Sequence, residues 1–233
     1  MSIWSRLKAS LSALGRGEPI TRVLEALARD PDPEHSVAFT IAVIALGAKM
    51  AKADGQVTRD EISAFRRVFH IPPEAEPEAA RVYNLARTDV AGFEVYAQQI
   101  ARMFHDRPEM LEDMLEGLVY VAAADGMYHP AEAAFLERVT AIFKIGADTF
   151  RSIRARHLPG EEDPWAVLGL APGTPQPALQ RHYRKLVRRL HPDSLVARGV
   201  PVEARALAER RLAAVNAAYA EVVSRAPEPA SST

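Results

Sequence analysis

Residues 177–193 read PALQRHYRKLVRRLHPD. Leu179, Tyr183, Leu186 and Leu190 recur at i, i+4, i+7 and i+11, which is one face of an α-helix. The opposite face carries Arg181, Arg184, Lys185, Arg188 and Arg189 and no acidic residue. Solvated helix faces normally interleave both signs, so an unmixed basic face points to an acidic partner surface. His191 follows the helix directly, and Pro192 restricts the backbone before it. His191 and Asp193 are therefore expected at a rigid corner beside the cations, where a carboxylate is an odd choice unless it has a task.

The flanking segments extend this helix into a small hairpin. Upstream, DPWAVLGL (163–170) sets Trp165, Leu168 and Leu170 in a short apolar patch. Downstream, ARALAERRLAAVNAAYAEVV (204–223) places Leu212, Val215, Ala218, Tyr219 and Val222 on an inward face. Two antiparallel helices, joined by a loop that starts at His191 and runs through SLVARGVP (194–201), would close against the Trp165 helix. The polar, turn-rich LPGEEDP (158–164) reads as a domain boundary.

The remainder of the chain is also helical in pattern. Ala, Leu, Arg and Glu favour helix, and no stretch alternates with period two between turn residues. An internal repeat stands out. ADGQVTRDEISAF (53–65) and ADGMYHPAEAAF (124–135) each place Glu seven residues after the Asp of Asp-Gly: Asp54 with Glu61, Asp125 with Glu132. Each copy follows an apolar helix, 37–53 or 111–124, and precedes an amphipathic one. Ile62, Phe65, Val68 and Phe69 supply the apolar positions in the first copy; Phe135, Val139, Ile142 and Phe143 supply them in the second. Gly55 and Gly126 suit left-handed helix ends. Thr58 with Glu61 forms a capping box, and Pro130 suits a first helical position with Glu132 in the first turn. Helix capping is the main expectation for these acids. A divalent-metal site on Asp54, Glu61, Asp125 and Glu132 is the alternative, since hard cations want several carboxylate oxygens.

Composition excludes several classes of function. The 233 residues hold no cysteine, so disulfides, thiolate zinc sites and cysteine nucleophiles are absent. The 29 Lys+Arg nearly balance 30 Asp+Glu, which argues against a globally basic nucleic-acid binder, and no exposed aromatics are expected to interleave with the cations of the basic helix. Seven scattered histidines match no H-E-x-x-H spacing, and no phosphate-binding glycine loop is present, so no enzyme is expected. His105 beside Asp106 reads as a helix end. The longest strongly apolar run without charge, VAFTIAVIALGA (37–48), is too short for a span of roughly 20 residues. It reads as a buried helix, and no transmembrane segment is expected. At the N-terminus Ile3, Trp4, Leu7, Leu11 and Leu14 fall at helical spacing. A docked helix is expected there, with a membrane-surface helix as the alternative.

Two resemblances bear on these residues. The doubled A-D-G with its Glu, together with the flanking apolar helices, resembles the TerB-like (tellurite-resistance B) helical domain. The C-terminal region 161–226 resembles a J domain. Asp163-Pro164-Trp165 through Leu168-Gly169-Leu170 matches that family's opening, and His182-Tyr183-Arg184-Lys185-Leu186 its basic run. His191-Pro192-Asp193 is its H-P-D, and Asn216 to Tyr219 its later motif. The loop 194–201 and the domain order look like those of DjlA-type co-chaperones, which join the two domains. Two features depart from that pattern: those proteins usually carry an N-terminal transmembrane segment, and Ser194 stands where a basic residue commonly follows H-P-D.

The resemblance implies an all-α chain. Its parts would be an N-terminal segment (1–17), a TerB-like bundle (18–157), a linker (158–162), a J domain (163–226) and a disordered tail (227–233). It implies docking on a DnaK-type chaperone and stimulation of its ATP hydrolysis. Arg184, Lys185, Arg188 and Arg189 would steer docking, Tyr183 would pack at the rim, and His191, Pro192 and Asp193 would act at the partner's interdomain linker. The Gly/Phe-rich linker and cysteine-rich module of full-length DnaJ are missing, so any client or recruiter protein, or a homodimer contact, falls to the bundle. No cofactor is implied beyond the divalent-metal alternative. The expected location is cytoplasmic, with a peripheral inner-membrane contact as a variant. The competing reading is a stress or tellurite-response, metal-sensing interaction protein in which the bundle dominates.

Overall fold

The computed structural model describes residues 3–12, 20–29, 35–54, 69–89, 91–124, 126 and 128–225. Among them every regular element is helical, as the all-α expectation required. The N-terminal part contains α1 (Ile3–Ser12), α2 (Ile20–Arg29), α3 (His35–Asp54), α4 (Glu76–Thr88), α5 (Phe93–Met103), α6 (Pro108–Ala122), α7 (Pro130–Phe143) and α8 (Ala147–His157). The C-terminal part contains α9 (Pro164–Leu168), α10 (Gln176–Leu190), α11 (Pro192–Arg198) and α12 (Arg205–Arg225).

The bundle is organised around α3. Its apolar residues surround the whole circumference, and such a helix is stable only when covered on all sides. Helices α1, α2, α4, α5, α6 and α7 all pack on it, and Val37 through Leu46 are buried. By length and composition its first 18 residues could cross a membrane, yet 83% of them are buried inside the bundle. Lys49 is the exception in the apolar set. It lies buried, donates Nζ to the carbonyls of Asp89 (2.9 Å) and Ala91 (2.6 Å), and sits 4.9 Å from the centre of the Tyr96 ring. A charge this deep is tolerated because carbonyl dipoles and a ring face replace its water. Burial pushes the Lys49 pKa down, with the carboxylate of Asp89 opposing.

The N-terminal helix joins this core. Ile3, Trp4, Leu7 and Leu11 are buried, and α1 packs on α3 and α4. In the second repeat copy Gly126 is left-handed (φ 79°), Pro130 opens α7, and the Glu132 carboxylate accepts the His129 backbone N–H at 3.0 Å. Phe135, Val139 and Phe143 enter the core, and Ile142 packs against it. In the first copy Phe69 is buried, whereas Gly55, Thr58, Ile62, Phe65 and Val68 lie outside the described residues.

The described apolar residues fall into two cores. The second is small: Ala155 from α8, Ala166, Val167 and Leu168 from α9, Leu179, Leu186 and Leu190 from α10, and Val215, Ala218 and Val222 from α12. Trp165, Leu170, Tyr183 and Tyr219 pack half-buried against it, so the apolar faces read from the sequence meet as expected. Leu212 is only half-buried. The connection after His191 differs from the expected loop. Residues 192–198 form α11, ended by Gly199 at φ 102°, and a 3₁₀ turn (Val202–Ala204) follows. The reason is tertiary. Leu195, Val200, Ala204, Leu207 and Ala208 belong to the bundle's core rather than to the hairpin's own.

Candidate functional site

The His191 corner is built by local rules. Pro192 disfavours helical torsions at the residue before it, and His191 is extended (φ −61°, ψ 137°), which ends α10 at Leu190. Pro192 then serves as the first residue of α11. The Asp193 N–H donates to His191 Nδ1 at 3.3 Å, and that ring atom stands 3.6 Å from Asp193 Oδ2. Side-chain exposure is 50% for His191 and 88% for Asp193, so both are open to a partner.

The basic helix leaves most of its charges exposed. Arg181, Arg184, Lys185 and Arg188 are exposed, and among the described residues none of them is in an ion pair. Arg189 differs. Its Nη1 donates to Glu112 Oε2 on α6 at 3.0 Å, with both side chains partly covered. Tyr183 stacks on Tyr219 (centroids 3.9 Å apart, planes 11° apart) and donates its hydroxyl to Asn216 Oδ1 at 2.9 Å. Both partners come from the Asn216–Tyr219 motif, so Tyr183 ties α10 to α12. His182 Nε2 lies 2.8 Å from the Leu168 carbonyl and ties α10 to α9.

Sequence reasoning missed the junction beneath this surface. Helix α6 presents Glu112, Asp113 and Glu116, and cations from four other elements, Arg189 of α10 among them, converge on them. Arg156 of α8 grips Glu116 with Nε (2.8 Å) and Nη2 (3.1 Å), and His157 Nε2 reaches the same carboxylate at 2.8 Å. Arg211 of α12 donates to Asp113 Oδ1 (2.6 Å) and to the Asp113 carbonyl (2.9 Å), and its Nε is 3.3 Å from Glu116. Arg198 of α11 donates to Asp113 Oδ2 at 3.0 Å. Burial alone would push Glu116 up, but Arg156, Arg211 and His157 outweigh it and hold the carboxyl well below the usual range. Burial pushes the His157 ring down, against the opposing pull of Glu116. Burial also pushes the Glu112 carboxyl up, against the pull of Arg189. The one available signal was that three of the four carboxylates of α6, Glu112, Asp113 and Glu116, stand among its apolar residues; their partners lie 40 to 98 residues away in sequence.

The candidate metal ligands are not brought together as a described site. Glu61, Asp125 and the side chain of Asp54 lie outside the described residues, while Glu132 is engaged in capping α7. Among the described residues no group of three or more acids or histidines could hold an ion.

Residues 40–155 match the TerB family, described as tellurite resistance protein TerB. That stretch, which runs from within α3 to within α8, is similar to a TerB domain. The chain as a whole is similar to proteins named co-chaperone protein DjlA. The one from Aliivibrio fischeri is 25% identical over 80% of this chain and 78% of its own. That from Escherichia coli K12 is 23% identical over 80% and 79%. That from Yersinia pestis is 25% identical over 87% and 86%. These relatives support a co-chaperone role. No solved structure matches the chain.

Proposed function

We propose that residues 163–226 form a J domain that docks on a DnaK-type chaperone and stimulates its ATP hydrolysis, with the TerB-like bundle placing it. The observation that carries this reading is the open corner at His191 and Asp193, reached by a helix whose Arg184, Lys185 and Arg188 are exposed and unpaired among the described residues. The cations would steer an acidic surface into place, an effect that weakens with salt. Asp193 would then compete for a cation of the partner and shift its conformational equilibrium. On this reading the chain has no active site of its own and needs no cofactor, and the hydrolysing enzyme is the partner, in the cytoplasm.

The test is ATPase stimulation of a cognate DnaK-type chaperone by the full chain. Asp193→Asn and His191→Gln should abolish stimulation while helicity is retained; undiminished stimulation by both variants would refute the reading. The TerB match favours a second reading, in which the bundle acts in tellurite or metal response and the C-terminal part only recruits chaperone. Calorimetric titration with calcium separates the two, since only the second predicts heat at millimolar metal.

A further inference from the structure

Resting on the J-domain reading, we infer that Arg198 is a positioning residue that sets the angle of the His191-Pro192-Asp193 corner against the basic helix and the bundle. Its Nη1 donates to the Arg189 carbonyl at 2.9 Å, in the last turn of α10. Its Nη2 donates to Asp113 Oδ2 of the bundle at 3.0 Å. One planar guanidinium thus bridges the end of the cationic helix and a carboxylate that also holds Arg211 of α12. Helix α11 spans only seven residues, with Pro192 and Asp193 at one end and Arg198 at the other. Whatever orients Arg198 orients Asp193.

The other anchors of α11 are apolar, apart from a long 3.5 Å bond that Arg107 Nη1 donates to the Arg198 backbone carbonyl. Leu195 and Val200 are buried in the bundle core, and Gly199 lies against His35 and Met110. Apolar burial is non-directional; it keeps the segment on the bundle but leaves rotation about its own axis weakly specified. Two directed, charge-assisted hydrogen bonds remove that freedom. A lysine cannot reproduce them, because its ammonium lacks the fork that meets two acceptors at fixed angles. Arg198 itself is set back from the cations that steer docking, with its side chain 23% exposed. Its loss should therefore affect what the docked corner achieves more than whether docking happens.

The experiment titrates full-length chain against a DnaK-type chaperone and reads maximal ATPase stimulation separately from the half-saturating concentration. Wild type, Asp193→Asn, Arg198→Ala and Arg198→Lys are compared, with amide exchange followed in the same samples. Arg198→Ala should lower the maximum about fivefold while the half-saturating concentration stays within about twofold, and Arg198→Lys should fall between it and wild type. Amides of α11 should exchange faster in Arg198→Ala, with those of α3 unchanged. An unaltered maximum, or a loss of affinity alone, overturns the inference and leaves the J-domain reading standing. Global acceleration of exchange in both Arg198 variants also overturns it, since the residue would then be merely structural. Failure of wild type itself to stimulate overturns both.

Discussion

Arg189, the last cation of the basic helix, is held by Glu112 of the bundle at 3.0 Å, whereas Arg184, Lys185 and Arg188 on the same helix are exposed. An acidic partner approaching α10 therefore meets one arginine already engaged and a carboxylate at its edge. Glu112→Gln removes that charge and releases Arg189. Partly exposed pairs are worth up to about 1 kcal/mol, so the half-saturating concentration for ATPase stimulation should fall by about two- to fivefold. The gain should vanish in the Arg189→Gln background and shrink at high salt. A weaker interaction in Glu112→Gln would show instead that the pair pre-orients Arg189.

Glu116 is held mainly within the bundle, by Arg156 and His157 of α8, and meets the C-terminal part through Arg211 Nε at 3.3 Å. Its carboxylate, 3% exposed, meets Arg156, His157 and Arg211, all equally covered. Glu116→Gln keeps the shape but leaves the buried Arg156 guanidinium without its counter-charge, while Arg211 keeps Asp113. Removing one partner of such a set costs about 3–5 kcal/mol. Urea denaturation should show a loss of that order; a change below about 1 kcal/mol would mean that water reaches the cluster.

This junction marks the limit of what the chain disclosed in one dimension. Periodicity made α3, α10 and α12 legible, because amphipathic or wholly apolar spacing is a local property. The corner at His191 was legible too, since Pro192 acts on its immediate neighbour. Helix α11 was not: SLVARGVP has the composition of a loop, and it is helical because Leu195 and Val200 find apolar cover on the bundle. Arg211 reads as one more surface charge in ERRLAA, yet it is 1% exposed and bound to Asp113, 98 residues earlier. Pairing between distant charges leaves no periodic trace.

The same cluster predicts a pH dependence. Burial lowers the His157 pKa in the folded chain below its ordinary 6.5. The folded ring resists protonation while the unfolded one accepts it. Stability from this group is thus complete above about pH 6.5 and declines as the pH falls toward the depressed folded value. The groups that face it are Glu116, whose carboxyl is held well below the usual range, Arg156 and Arg211, and the Tyr120 ring packs at 5.6 Å. Melting temperatures from pH 8 to pH 5 should drop in wild type. His157→Gln should flatten the part of that drop nearest pH 6, and an identical profile in the variant would exclude the assignment.

Gly199 tests whether the corner is truly fastened to the bundle. Its φ of 102° is a left-handed conformation that costs an L-residue about 1–2 kcal/mol. A Cβ there would stand 2.9 Å from His35 Cβ, the root of a side chain rather than its flexible end, and 3.5 Å from Met110 Cε. Gly199→Ala should therefore cost more than the backbone strain alone, and should separate α11 from α3 and α6. Amide exchange ought to rise in residues 192–204 before any change in the α9, α10 and α12 hairpin core, which rests on its own apolar cluster. If exchange instead rises uniformly through both cores, the hairpin and bundle unfold as one unit, and the corner has no separate attachment to lose.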